Sequence, residues 1–199
     1  VGAQNLKDER KRRNLFLRQF IERPTEVASI VPSSDQLVRA LIDVINFSEI
    51  QVAVEYGPGT GAITAKLKPL LPESAIYVAA EPNPAFRNHL TEEGFNLELI
   101  PDYAENIADI VLQRHGEVDL VVSGLPCSII PLETLEKIFN STQRVLRKGG
   151  KFRMFIYTHT FVMPKMHKVI SMLKQKFSSV ETEVVWMNMP PATVIRCIK

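Results

Sequence analysis

From residue 51 onward, apolar positions follow two alternating rhythms. Short, nearly unbroken apolar runs predict strands at Gln51–Glu55, Ala75–Ala80, Leu97–Ile100, Val118–Val122 and Lys151–Tyr157. Between them, apolar residues return every three or four positions and predict helices over Ala62–Leu70, Pro84–Glu92 and Ala104–Arg114. Leu132, Leu135, Ile138, Phe139 and Leu146 mark a further helix that stops at Gly149-Gly150, and Met166, Val169, Ile170 and Leu173 mark another. Val180–Trp186 and Thr193–Ile198, separated by Asn188-Met189-Pro190-Pro191, read as a terminal antiparallel pair. Strict alternation of strand and helix predicts a parallel sheet with helices on both faces. The Val118–Val122 run, almost wholly apolar, suits a strand covered on both sides.

Upstream the pattern changes. Residues 6–22 predict a helix whose bulky surface of Leu15, Phe16 and Phe20 is flanked by cations and closed by Pro24. Pro32-Ser33-Ser34-Asp35 then opens a helix carrying Leu37, Val38, Leu41, Ile42 and Ile45. The expected division is a basic amphipathic segment, residues 1–31, and an α/β domain, residues 32–199.

The candidate chemistry sits at the ends of the strands. Gly57, Gly59 and Gly61 follow the first strand and open the next helix, where glycines permit tight turns and close approach of a ligand to the backbone. Gly57-x-Gly59-x-x-Ala62 formally satisfies the dinucleotide pattern. Glu55 argues against it, because a carboxylate there repels a pyrophosphate and favours a cationic, amino-acid-bearing cofactor. Glu81 ends the second strand 20 residues beyond Gly61, at the place where an acid accepts from ribose hydroxyls. Asp102 and Tyr103 follow the third strand, where an acid commonly accepts from an adenine amine. Acids at three consecutive strand ends, together with the terminal antiparallel pair, point to S-adenosylmethionine. The expected fold is the Rossmann-like class I S-adenosylmethionine-dependent methyltransferase, seven mostly parallel strands with the last antiparallel.

With 199 residues and 45% apolar content, a single globular domain is expected. No apolar run approaches the roughly 20 residues of a membrane span, and no secretory signal pattern opens the chain. Cys127 and Cys197 suggest no disulfide framework, which makes a reducing cytoplasm the expectation. The four histidines lack metal-ligand spacing, so no metal is expected. The net charge of +2 hides an asymmetry: residues 1–23 hold seven Lys or Arg against three acids, a surplus of +4. Such a terminus suits a polyanionic partner, either a nucleic-acid backbone or an acidic membrane.

Several segments together resemble the bacterial phospholipid N-methyltransferases, soluble enzymes that methylate phosphatidylethanolamine and are close in sequence to ribosomal RNA adenine dimethylases. They are residues 16–21 with Pro24 and Val27, Val31-Pro32-Ser33-Ser34, the 55–61 glycine loop, Ser123-Gly124-Leu125-Pro126, and residues 185–192. The resemblance implies that Ser33 and Ser34 close over the cofactor, and that Glu55, Gly57, Gly59, Gly61, Glu81 and Asp102 bind it, with Thr60, Pro82, Tyr103 and Ser123 beside them. Leu125, Pro126 and Trp186 would contact the acceptor, and the N-terminal helix would lie on an anionic membrane from the cytoplasmic side. An ethanolamine nitrogen must shed a proton before it attacks. Tyr157 and His159, just past the fifth strand, are candidates to take or relay it. Trp186 or Tyr157 could hold methylated cations through their ring faces; an anchor in the core is the other reading of Trp186.

Rival acceptors remain in view. An rRNA adenine dimethylase shares the fold and the basic helix but should carry an aromatic in the 123–126 loop, which is absent here, and a helical extension after the sheet, which is not expected here. A cytosine-C5 enzyme would use Pro126-Cys127 as its nucleophile pair, whereas an inert Cys127 is the expectation. A module that binds cofactor without turnover is a third class. Oligomeric state is open.

Overall fold

The computed structural model describes residues 35–199. The expected 6–22 helix, the 1–31 segment, Ser33 and Ser34 lie outside them. Helix α1 (Asp35–Ile42) presents Leu37, Val38, Leu41 and Ile42 to the interior. Then follow β1 (Val52–Tyr56), α2 (Thr64–Leu67), β2 (Ile76–Ala80), α3 (Pro84–Glu92), β3 (Glu98–Ile100), α4 (Ala108–His115) and β4 (Val118–Ser123). Helix α5 (Leu132–Val145), β5 (Leu146–Tyr157), α6 (Pro164–Lys176), β6 (Ser179–Val185) and β7 (Ala192–Ile198) complete the domain.

Seven strands form one sheet in the order β3-β2-β1-β4-β5-β7-β6. Strands β1 to β5 run parallel, and β7 inserts antiparallel between β5 and β6. Side-chain alternation along the strands separates two apolar clusters. Val52, Val54 and Tyr56 of β1 join residues of α4, α5 and α6, while Ala53 joins those of α1 and α2. Strands β1 and β4 are buried at every position, as near-continuous apolar runs require.

Three boundaries differ from expectation. The helix after the glycine loop lasts only from Thr64 to Leu67 before a 3-10 turn over Lys68–Leu70, because Pro69 has no N–H to extend it. Residues 102–106 form a turn: Asp102 Oδ1 accepts from the Tyr103 amide at 2.7 Å and from Asn106 Nδ2 at 2.7 Å, so α4 starts at Ala108 rather than Ala104. Strand β5 begins at Leu146, not Lys151. The Gly149-Gly150 pair lies in a bulge within it: Val118 pairs with Leu146 but Leu120 with Lys151, and a Cβ on Gly150 would stand 2.8 Å from the Arg147 carbonyl oxygen.

The strand register lines up Ile100, Ala80, Tyr56, Ser123 and Met154 in one row across the sheet. Each central strand turns into its loop just past that row. Strand order reverses between β1 and β4, the place in an open α/β sheet where a crevice opens.

Candidate active site

At that reversal the loops after β1 and β4 touch. Gly57, Gly59 and Gly61 have φ of +65°, +55° and +85°, a backbone that side-chain-bearing residues rarely adopt. Their surroundings differ. A Cβ on Gly57 would meet Leu125 Cδ2 at 2.7 Å, and one on Gly61 would meet Phe95 and Leu90 at 2.9 and 3.0 Å. Among the described residues nothing lies within 4 Å of where a Cβ on Gly59 would stand, so this stretch of backbone is open to a ligand there. Gly124, which the sequence reading left without a role, is confined by the Gly57 carbonyl oxygen 3.0 Å from where its Cβ would stand. Its amide donates to the Tyr56 carbonyl at 2.9 Å, holding the two loops together.

Glu81 is buried at the end of β2. Its Oε2 accepts from the Gly59 amide at 3.2 Å and its Oε1 from the Asn83 amide at 2.9 Å, so this carboxylate braces the glycine loop. Burial raises its pKa against the opposing pull of these amides. Pro82 is half-buried, and Asn83 caps α3 by accepting from the Ala85 amide at 2.9 Å. Asp102 and Tyr103 lie half-buried beyond β3, and Thr60 is exposed in the loop. Ser123, buried at the end of β4, accepts from the Leu125 amide at 3.3 Å and fixes the start of the loop that carries Leu125 and Pro126.

Glu55 is placed differently from a residue lining an open crevice. It is wholly buried, and its Oε2 accepts from Thr64 Oγ1 at 2.8 Å and from the Tyr77 hydroxyl. It therefore ties β1 and β2 to the helical turn that follows the glycine loop. Burial pushes its pKa up to about 7, despite both hydroxyls and with some help from the nearby Glu81 charge. Its Oε1 is buried without a hydrogen-bond partner among the described residues.

The other candidates stand along the sheet, beyond β5 and β6. The Tyr157 ring stacks on His159, with centroids 5.9 Å apart and planes at 18°, and meets Phe155 edge-on at 5.7 Å. Burial raises the Tyr157 pKa and leaves the hydroxyl neutral, able to relay a proton but a poor primary base, whereas His159 is exposed. Trp186 is 73% exposed in the turn after β6, so it does not anchor the core. Cys127 is buried, with its thiol pushed up to about 12, which leaves no thiolate for nucleophilic attack. Among the described residues, no three His, Cys, Asp or Glu side chains are grouped to hold a metal ion.

Residues 54–154, half of the chain, match the family described as methyltransferase domain. The chain belongs to that family. It is 29% identical over 187 residues to an ornithine lipid N-methyltransferase of Singulisphaera acidiphila, covering 92% of this chain and 94% of the relative. Among solved structures it is similar to a precorrin-6y C5,15-methyltransferase from Geobacter metallireducens GS-15, with a TM-score of 0.67 and 16% identity over 88% of this chain and 93% of that one. It is also similar to the N-methyltransferase NodS from Bradyrhizobium japonicum WM9 in complex with S-adenosyl-L-homocysteine. There the TM-score is 0.63 and identity 14%, over 82% of this chain and 84% of that one. The fold is that of the class I methyltransferases, and the cofactor of this methyltransferase is S-adenosylmethionine. The residues present fit it. Among the described residues Gly59 has uncovered backbone, and Glu55 Oε1 lacks a donor that the ammonium of the cofactor's amino-acid end would supply.

Proposed function

We propose that this methyltransferase acts on the primary amine of a lipid headgroup, phosphatidylethanolamine in the first instance, at an anionic membrane surface. The observation that carries the reading is the likeness to an ornithine lipid N-methyltransferase along nearly the full length of both chains. An ornithine headgroup and an ethanolamine headgroup each present a primary amine at the bilayer surface, so one site chemistry serves both.

When bound, S-adenosylmethionine supplies a methyl group on a sulfonium sulfur, open to in-line attack by an amine. The Gly57–Gly61 loop, Glu55, Glu81 and Asp102 hold the cofactor, with Thr60, Pro82, Tyr103 and Ser123 alongside and Ser33 and Ser34 closing over it. Leu125, Pro126 and Trp186 contact the acceptor. Holding the reacting atoms about 3–3.5 Å apart and in line provides most of the acceleration. A headgroup ammonium is unreactive until it loses a proton. The exposed His159 imidazole accepts it and passes it to water, while the Tyr157 ring orients that imidazole and presents a face to methylated cations. The basic 6–22 segment attracts the enzyme to acidic lipid on the cytoplasmic face, at about 1 kcal/mol for each cation near the surface.

Incubation with radiolabelled cofactor and, in separate arms, phosphatidylethanolamine vesicles, ornithine-lipid vesicles and unmodified ribosomal RNA tests the acceptor. Label partitioning into chloroform from either lipid arm is the expected result, and label found only on RNA overturns it. Deleting residues 1–23 should weaken co-sedimentation with anionic vesicles; unchanged binding removes that segment from the reading.

A further inference from the structure

Strands β5, β6 and β7 do not stop at the row where the central strands turn. Tyr157 pairs with Ala192, which pairs with Val185, three residues beyond the row that contains Met154. At about 3.3 Å per residue, this corner of the sheet stands roughly 10 Å past the central strand ends. Two connections cap it: the 3-10 turn Thr158–Val162 and the β6–β7 turn, residues 186–191. They are joined to each other, because the Thr158 amide donates to the Pro191 carbonyl at 2.8 Å and the Thr158 and Thr193 hydroxyls lie 3.2 Å apart.

Both connections carry large apolar side chains into solvent. Trp186, Met187 and Met189 are 73%, 76% and 77% exposed, and Val162 is 86% exposed with Met163 next to it. The exposure is built in. Asn188, between the two methionines, is 2% exposed, and its Nδ2 donates to the Pro190 carbonyl at 2.6 Å, so the turn is shaped from inside by its polar residue while its apolar residues face out. An open groove of about 500 Å³ continues the surface, with Phe161, Ile170, Val180 and Val184 on its walls and His167 and Lys174 beside them. From Thr158 to Val180 the sequence contains Lys165, Lys168, Lys174 and Lys176 and no Asp or Glu.

We infer that the Trp186–Met189 turn and the adjoining Val162–Met163 turn are a membrane-insertion tip, which dips into the headgroup and upper acyl region of an anionic bilayer and turns the strand-end crevice toward it. Apolar side chains next to a helix whose charged residues are all cations, with Lys168 and Lys174 exposed, suit an anionic lipid surface. A second copy of the chain suits it poorly. Five side chains on two turns are few against the roughly 800 Å² per partner of a stable interface, and pairing would bring the lysines of both copies together. The choice of lipid as occupant rests on the lipid-acceptor reading. It adds to that reading an insertion site separate from the basic N-terminus.

Trp186, the sole tryptophan, reports on the tip directly. The full chain is titrated with phosphatidylcholine/phosphatidylglycerol vesicles, with and without brominated acyl chains. The expected result is a blue-shifted Trp186 emission that brominated lipid quenches. The double variant Met187→Ser/Met189→Ser should lose about tenfold or more in vesicle affinity. It should keep its turnover of dihexanoyl phosphatidylethanolamine dispersed below its micelle concentration, which shows that the crevice is intact. Co-sedimentation with vesicles while Trp186 stays unquenched overturns the inference. So does a blue shift that grows with protein concentration in the absence of lipid, since the occupant is then another copy. If wild-type Trp186 is quenched yet neither dispersed nor vesicular aminolipid is methylated, the insertion tip stands and the lipid-acceptor reading falls.

Discussion

Replacing Glu55 by Gln should reverse sign in its effect on stability as pH rises. The carboxyl is wholly buried and its pKa is raised from 4.5 to about 7. Between those values the unfolded chain gives up the proton while the folded chain keeps it, so ionisation favours unfolding and stability falls as pH rises through this window. Above about 7 both forms are ionised and the loss is complete. The shift corresponds to about 3 kcal/mol held against the fold at pH near 8. A glutamine of the same shape never carries that charge, although burying its amide with one hydrogen bond misplaced costs about 1–2 kcal/mol at every pH. Near pH 4.5–5 the variant is therefore the less stable protein by about 1–2 kcal/mol; near pH 8 it is the more stable by a similar amount. For a domain of this size that is roughly 2–8 °C in Tm in each direction.

Thermal unfolding of both proteins without cofactor, at several pH values across this range, measures the crossover. A variant less stable than wild type by the same margin throughout would refute the reasoning, because it would mean that Thr64 and Tyr77 stabilise an ionised carboxylate even in acid. Calorimetric titration with S-adenosylmethionine supplies the functional half. If the ammonium pairs with Glu55, wild-type affinity rises between about pH 5 and 7 as the carboxyl ionises, and the variant binds roughly 10- to 100-fold more weakly with no such rise.

Gly57→Ala and Gly59→Ala should separate folding from binding. Both place a side chain at positive φ, costing about 1–2 kcal/mol. Gly57→Ala adds the collision with Leu125 and should unfold several degrees lower than Gly59→Ala, which should lose only the backbone strain yet bind cofactor at least about tenfold more weakly. Thermal unfolding with calorimetry decides, and wild-type affinity in Gly59→Ala would remove the loop from the cofactor site. Asp119→Asn should cost about 2 kcal/mol at neutral pH. Asp119 accepts from the Gln51 and Val52 amides at 2.8 and 2.9 Å and from Arg147 Nε at 2.5 Å. Arg147 and these amides hold its carboxyl below its ordinary 3.8, so the stabilisation is complete above that value and disappears as pH falls through the folded-state pKa. Urea titrations near pH 7 and pH 3 should show the gap between the two proteins closing in acid.

The parts of the fold that were legible in the sequence are those where one physical demand dominates. Strands β1, β2 and β4 lie in the middle of the sheet, and their continuous apolar runs place them within a residue or two. Where short-range polar contacts compete with periodicity, the reading failed. Ala104 to Ile107 has a helical pattern, but the Asp102 side chain captures the local donors and holds a turn. Gly149-Gly150 looks like the end of a helix and is a bulge within a strand, because the strand had already started at Leu146. Pairings distant in sequence leave no local trace. Leu125 packed over Gly57, and Gly124 pressed against the Gly57 carbonyl, follow only from the adjacency of β1 and β4.

The two glutamates show the same limit at the site. Both were legible as acids at strand ends, but sequence position does not reveal how many of their lone pairs the protein itself uses. Two carboxylate oxygens offer about four acceptor positions. Glu81 uses one on each oxygen, for the Gly59 and Asn83 amides, and has one left on each, enough for the pair of ribose hydroxyls proposed for it. Bracing the loop and binding the ribose are therefore compatible, and the brace holds the acceptors in place before the ligand arrives. Glu55 is arranged the other way. Among the described residues its donors, Thr64 and Tyr77, both converge on Oε2, and Oε1 is left buried without one. One carboxylate is thus satisfied by the fold and prepared for neutral hydroxyls, while the other is satisfied on one side only and gains most from a cation. That division, rather than the number of acids around the crevice, favours a cofactor with a ribose and an ammonium at separate ends.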